Sequence, residues 1–315
     1  MPNNKKPVVV TVGVFDGVHA GHLALLGEAR RIADYRGARL VAASFDPHPA
    51  AVLRAAEFLG LLTLPAFRAK LLKAAGVDSV EFLEFNDDLR RLTPDEFVDE
   101  ILVNQLQADV VVVGSNFRFG NKASGDVSVL QALATKFGFE VEVVSLKGDT
   151  SAWSSTRIRT EILAGNVEAA RKLLGRPHRL SGEVIYGDQR GRELGFPTAN
   201  LSVAGGLVIP ADGVYSGLLT TSDEVLPAAI SIGTNPTFAD VVTRRVEAYV
   251  LDRTDLKLYG QQIDLDFLCH IRGMQAFSNI EGLIVAMNAD VDVAKTQIRD
   301  FMDDQESAPD SGSQA

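Results

Sequence analysis

The sequence predicts two unlike folds in one chain: an α/β half with a parallel sheet covered by helices on both sides, then an all-β half closed by a terminal helix. Three observations carry this expectation. The chain has 315 residues, enough for two domains of ordinary size. Up to about residue 175, short β-branched runs alternate with helical patterns, the grammar of a parallel sheet. Beyond that point helix signals thin out and short period-two strands appear between turns, as in a small barrel or sandwich.

The elements follow in order. VVVTVGVF (8–15) is a run suited to a buried strand. After a glycine-punctuated turn, Leu23, Leu26, Ala29 and Ala33 form the apolar stripe of an amphipathic helix that Gly37 closes. ARLVAASF (38–45) is the next strand, a helix over 65–75 ends at Gly76, and VEFLEF (80–85) is a third strand. Thr93 as N-cap, Pro94 at the first helical position and Glu96 close behind start another helix. The four valines of DVVVVG (109–114) fit a strand covered on both faces, and VSVLQALATKFG and EVEVVSL add one more helix and strand. In the second half GEVIYG, GVYSGLLTT, LPAAISIG, RRVEAYVLD and QIDLDFLCHIR read as strands, and IEGLIVAMNADVDVAKTQIRDFM as the closing helix. Gly175 and Pro177 interrupt the chain between the halves. The expected domains are 1–178 and 179–303, with 304–315 as a polar tail.

Composition narrows the partners. Hydrophobic residues make up 46% and charged residues 23%, an ordinary globular mixture. The 31 Lys plus Arg against 41 Asp plus Glu give a net charge of −10, which argues against nucleic acid or an anionic membrane as partner. Phosphate ligands need only a local site, so they stay open. Asp303, Asp304, Glu306 and Asp310 fall in the polar stretch after Phe301, which reads as solvated tail. The one cysteine, Cys269, forms no intrachain disulfide and reads as an inert buried thiol. No secretory leader and no apolar run of membrane-spanning length is evident, so a cytoplasmic location is expected. Self-association is left open.

The strongest local feature is GVFDGVHAGH, Gly13 to His22, which leaves a strand and opens a helix. That is where an open α/β sheet binds ligands. His19 and His22 lie near a helix N-terminus, whose N–H groups already favour anions, and can add hydrogen bonds to nucleotide phosphates. A metal pair competes with this reading but lacks a third ligand of helpful spacing. FDPHP (45–49) brings His48 to the end of the next strand, and GSNFRFG (114–120) brings Asn116 and Arg118 to the same sheet edge. WSSTRIR (153–159) offers Ser154, Ser155 and Thr156 as caps or phosphate donors and Arg157 and Arg159 as cations. In the second half, Thr198 and Asn200 of GFPTAN alternate along an extended strand and present neutral oxygens suited to Mg²⁺. Glu247 stands in an apolar strand, where an unpaired carboxylate is costly to bury; it reads as a salt-bridged edge residue or as a base for phosphoryl transfer.

GVFDGVHAGH with a downstream SSTRIR resembles the nucleotidylyltransferase superfamily, whose HxGH-type motifs hold ATP for adenylyl transfer. FDPHP, SNFRFG and SSTRIR resemble the FAD synthetase module of bacterial bifunctional riboflavin kinase/FMN adenylyltransferases. GDQRGRELGFPTAN, GTNPTF, VEAYVLD, LYG and IRGMQAF resemble the riboflavin kinase module of the same family. The resemblance implies a Rossmann-like α/β nucleotidylyltransferase domain and a six-stranded antiparallel barrel. It also implies two activities: riboflavin to FMN by ATP-dependent phosphorylation, and FMN to FAD by adenylylation with release of pyrophosphate. Gly13, Phe15, His19, His22, Asn116, Ser155, Thr156, Arg157 and Arg159 are then expected to hold ATP in the first domain. Gly191, Arg192, Thr198 and Asn200 hold Mg–ATP in the second, where Glu247 is the base. His48, Arg272 and Phe277 are expected at the flavins. Ala20 occupies the variable place in HxGH, and Trp153 stands before SSTRIR where a smaller residue is common; neither removes a catalytic group. Two other readings are weighed: a flavin- or nucleotide-binding regulator without turnover, and an adenylyltransferase for a different phosphorylated substrate.

Overall fold

The computed structural model describes residues 6–145, 153–187, 195–234, 244–253 and 255–307. Packing divides the chain into two compact units, one up to Arg157 and one from Ile158 onward.

In the first unit, β1 (Val8–Val12), β2 (Arg39–Asp46), β3 (Ser79–Glu84), β4 (Val110–Gly114) and β5 (Glu140–Val144) form one parallel sheet in the order β3-β2-β1-β4-β5. Val10 is paired on one side with Val41 and on the other with Val111, so the valine runs occupy the centre of the sheet. Strand alternation splits the core in two. Val8, Val10, Val12, Val111 and Val113 pack with Phe97, Leu102 and Leu130 on one face. Val9, Val110 and Val112 pack with Leu26, Ala29 and Leu72 on the other. Each such side chain taken from water contributes about 1.5–3 kcal/mol, which is why both faces can be apolar without an exposed penalty.

Among the described residues, six helices cover the sheet or its rim: α1 (Ala20–Tyr35), α2 (Pro49–Leu53), α3 (Pro65–Ala74), α4 (Asp87–Arg91), α5 (Pro94–Glu96) and α6 (Val127–Phe137). Leu26, Ala29 and Ala33 of α1 are fully buried as the stripe requires, but Leu23 is exposed, and Ile32 takes the remaining inward place. The Thr93 cap is a complete capping box: Thr93 Oγ1 accepts from Glu96 N, and the Glu96 carboxylate accepts from Thr93 N at 2.8 Å. Past Glu96 the chain widens into a π-helical stretch, Phe97–Gln105, where Leu106 N donates to Ile101 O. The strand order reverses between β1 and β4. Loops leaving these two neighbours turn to opposite sides and open a crevice at the strands' C-terminal ends.

The second unit contains α7 from its fourth residue onward (Ser155–Leu163), α8 (Val167–Leu174), and six strands: β6 (His178–Ile185), β7 (Thr198–Val203), β8 (Gly213–Thr220), β9 (Val225–Thr234), β10 (Arg244–Val250) and β11 (Gln262–Arg272). The strands close into an antiparallel barrel in the order β10-β7-β6-β11-β8-β9, with β9 pairing back onto β10. The expected boundary at 178/179 coincides with the onset of β6. Packing divides the chain earlier because α8 buries Val167, Ala170 and Leu174, and its Glu168 carboxylate accepts His270 N of β11 at 3.0 Å. A last helix, α9 (Ile280–Ser307), lays Ala294 and Ile298 against Leu268 and Ala229. It runs through Asp303, Asp304 and Glu306, so these three are exposed helical residues rather than the start of a tail; Asp310 lies outside the described residues. Cys269 is half-buried on β11, and burial pushes its thiol pKa up, as befits an inert group.

Barrel closure leaves no room at two crossings. A Cβ on Gly182 would stand 2.0 Å from Ser202 O, and one on Gly217 would stand 2.4 Å from Asp266 O. Gly182→Ala is therefore expected to lower the thermal midpoint of the second unit, at a cost of about 1–3 kcal/mol. A melt indistinguishable from that of the parent chain would contradict the close approach.

Candidate active sites

The first site begins where β1 ends. Gly13 N still donates to Ala43 O at 3.1 Å, and the chain then turns with Phe15, Gly17 and Val18 all at positive φ (51°, 87° and 41°). For the β-branched Val18 this is a rare conformation, held only where the surroundings impose it. A Cβ on Gly13 would lie 3.0 Å from the buried Phe15 ring, so only glycine lets the ring fold back over the strand end. His19 is the N-cap of α1, and no acidic side chain occupies the first turn to neutralise the N–H groups there. The imidazoles of His19 and His22 are stacked, with centroids 3.8 Å apart, and the Phe15 ring meets His22 edge-on at 5.3 Å. Burial, then His19, then Arg68 hold the His22 pKa well below the ordinary imidazole value. The ring is thus neutral at physiological pH. Its Nδ1 is buried without a hydrogen-bond partner.

Both histidines line a cavity of about 950 Å³ in this unit, together with Gly13, Phe15, Asn116, Ser154 and Ser155. Sequence reasoning missed much of the remaining wall. Phe85 and Phe97 join Phe45 and Phe117 of the quoted motifs to make it aromatic, while Arg90, Arg91 and Lys122 join the foreseen Arg118 to make it basic. Of SSTRIR, Ser154 Oγ caps α7 by accepting Arg157 N at 3.2 Å, and Ser155 Oγ donates to Asp16 O at 2.8 Å. Thr156 and Arg157 are exposed and Arg159 is buried; none of the three is in the wall. His48 is not in the wall either. It caps α2, its Nδ1 accepting Ala50 N at 3.0 Å, and packs on Phe58 at 4.7 Å, while its neighbours Pro49 and Leu53 line the cavity.

Beneath the loop lies a polar knot that no motif announced. Asp16, 1% exposed, accepts from Leu62 N, Thr63 N and Thr63 Oγ1, each at 2.9 Å. Arg68 of α3, equally buried, donates to Val14 O, Phe45 O and Ser44 Oγ at 3.1–3.2 Å and to Thr63 O at 3.1 Å. Its link to Asp16 itself is long, 3.5 Å.

The second site lies on the barrel. Thr198 and Asn200 point to one face of β7, and Glu247 of β10 stands directly across from Asn200. Thr198 Oγ1 donates to Glu247 Oε2 at 3.1 Å. All three are half-buried, and the alternate residues Ala199, Leu201, Val246 and Ala248 fill the apolar face, so Glu247 is a paired, partly solvated carboxylate rather than a deeply buried one. A Cβ on Gly187 would fall 2.3 Å from Asn200 Nδ2: glycine leaves this amide its space. Gly191 and Arg192 lie outside the described residues. Arg272 spends its fork on Asp290 of α9, at 2.8 and 2.7 Å, with its guanidinium 5.8 Å from the Phe277 ring centre. Only the open side of that Arg–Phe pair remains for a ligand; Asp290 was not foreseen.

The family model described as FAD synthetase matches residues 1–157, and the one described as riboflavin kinase matches residues 174–298. A bifunctional riboflavin kinase/FMN adenylyltransferase from Listeria monocytogenes is 36% identical over 284 residues, 90% of each chain. The chain belongs to the bifunctional riboflavin kinase/FMN adenylyltransferase family. The Pseudomonas fluorescens member is 37% identical, across 91% of this chain and 92% of that one. A solved structure described as a macrolide-efflux protein from Streptococcus pneumoniae superposes with a TM-score of 0.83 at 32% identity, over 93% of this chain and 95% of that one. Among the described residues, no helix is long and apolar enough to cross a membrane. The family's two models divide where the two sites do, with the histidine pair under the first and the Thr198–Asn200–Glu247 face under the second.

Proposed function

We propose that the second unit phosphorylates the riboflavin 5′-hydroxyl with ATP, giving FMN, and that the first transfers AMP from a second ATP to FMN, giving FAD and pyrophosphate. The observation that carries this reading is the presence in one chain of a stacked histidine pair at a bare helix N-terminus and a carboxylate hydrogen-bonded to a strand threonine.

In the kinase step the 5′-oxygen attacks the γ-phosphorus, the bond to ADP breaks, and the hydroxyl proton passes to Glu247. Thr198 orients that carboxylate. The donor set fits Mg²⁺: the Thr198 hydroxyl donates a hydrogen bond to Glu247 and keeps its lone pairs, and the Asn200 amide oxygen shares its face. When bound, the ion neutralises phosphate charge. In the adenylyl step a phosphate oxygen of FMN attacks the α-phosphorus in line and pyrophosphate leaves, with no enzyme nucleophile. His22 is neutral, so its ring has one N–H to offer a phosphate oxygen. His19, the first-turn N–H groups of α1, Asn116 and Ser155 position ATP, while the aromatic wall suits an isoalloxazine ring. Thr156, Arg157 and Arg159 are proposed for ATP on the strength of the motif alone, while Gly13 and Phe15 line the cavity itself. Riboflavin, FMN and ATP are the partners, in the cytoplasm.

Incubation with riboflavin, ATP and Mg²⁺ followed by separation of the flavins is expected to show FMN first and FAD later. FMN alone would overturn the synthetase assignment, and no product at all would favour a binding regulator.

A further inference from the structure

The buried knot under the histidine loop has no role in the steps above, and it is expensive. A guanidinium and a carboxylate each 1% exposed and 3.5 Å apart carry a desolvation cost that their attraction need not repay, a poor choice for stability alone. Its hydrogen bonds are not scattered. Val14 O lies just past β1, Ser44 Oγ and Phe45 O lie near the end of β2, and Thr63 O lies in the turn before α3; Val14 and Phe45 themselves line the cavity. Asp16 completes the tie. Its carboxylate holds Leu62 and Thr63, its carbonyl is held by Ser155, and Gly17 N donates to Thr63 Oγ1 at 3.1 Å. Arg68 holds Val14 O just ahead of Phe15, and Asp16 stands between Phe15 and Val18, the two non-glycine positions at positive φ before His19.

We propose that Arg68, with Asp16, is a positioning residue for adenylyl transfer: it locks the loop that launches His19 and His22 and sets a fixed positive charge behind them. The proposal rests on reading this cavity as the adenylyl-transfer site. The charge has a visible effect, since Arg68 is one of the groups that disfavour a second positive charge on His22. The other titratable group acting on that ring is His19; Asp16 is spent on Leu62 and Thr63, and Arg90, Arg91, Arg118 and Lys122 line the same cavity. A protonated His22 would grip phosphate in the ground state as well as in the transition state. A neutral one hydrogen-bonds most strongly as charge develops, which favours turnover over mere binding.

The test uses the full chain with ¹³C-labelled histidine, the His22 resonance assigned by His22→Gln. Arg68→Met is expected to raise the His22 titration midpoint by about one pH unit. It should also lower kcat for FAD formation about 100-fold and move the acid limb of the pH–rate profile to higher pH. Arg68→Lys keeps the charge but cannot reach three carbonyl groups at once; it should leave the midpoint low and still lose about tenfold in kcat. Asp16→Asn should lose kcat without raising the midpoint. Riboflavin phosphorylation should be unchanged in all three, and should Arg68→Met fail to fold, Arg68→Lys and Asp16→Asn decide the matter. A midpoint unmoved in Arg68→Met, or full kcat in Arg68→Lys, would overturn the proposal. If the parent chain made no FAD, the site reading would fail, while the His22 midpoints would still report on the Arg68 charge.

Discussion

Glu247→Gln is expected to lower riboflavin phosphorylation about 10³-fold while FMN supplied from outside is still converted to FAD at the parent rate. Glutamine is the informative replacement. Its amide oxygen can still accept the Thr198 hydroxyl, now 3.1 Å from the carboxylate, so β7 and β10 keep their alignment. What is lost is the ability to take a proton. Initial rates of FMN formation from riboflavin and of FAD formation from FMN, measured on the same preparation, separate the two outcomes. Loss of both activities would contradict independent sites, and a decrease below about tenfold would remove Glu247 from the role of base.

His22→Ala should do the reverse, reducing FAD synthesis about 10²–10³-fold with riboflavin phosphorylation intact. The ring is stacked on His19 and braced by Phe15, so its deletion takes away a phosphate donor and removes the stacking partner of His19. His22→Asn retains an N–H donor and should recover part of the loss. If His22→Ala formed FAD within about threefold of the parent rate, the ring would be a structural member of the turn and adenylyl transfer would need another donor.

How far these sites could be read in the letters depends on what each residue interacts with. Valine runs and the Thr93–Glu96 capping box were legible because the information is local: neighbours in sequence are neighbours in space. The Thr198–Asn200 alternation was legible for the same reason, and Glu247 stood out as a charge in an apolar run. Arg68 did not. In PAFRAKLLKA it looks like any cation on a helix's solvent side, and only the tertiary fold turns it inward onto Val14, Ser44 and Phe45. The Arg272–Asp290 pair was hidden likewise, its members 18 residues apart on a strand and a helix. Asp303, Asp304 and Glu306 misled in the other direction, since acidic composition marks solvent exposure but says nothing about whether a helix continues. His48 shows the same ambiguity: FDPHP places it at the right sheet edge, yet the imidazole is used to cap a five-residue helix.

The reversal of strand order between β1 and β4 has a consequence for how this chain can change over time. The crevice exists because two backbones diverge, not because any side chain has been hollowed out to make it. Exposed residues on its wall, such as Arg91 or Arg118, can therefore be exchanged without filling or collapsing the space they border. Substrate preference is free to drift there while folding is not at stake. The opposite holds one layer down, where replacing Arg68 or Asp16 would disturb the frame itself.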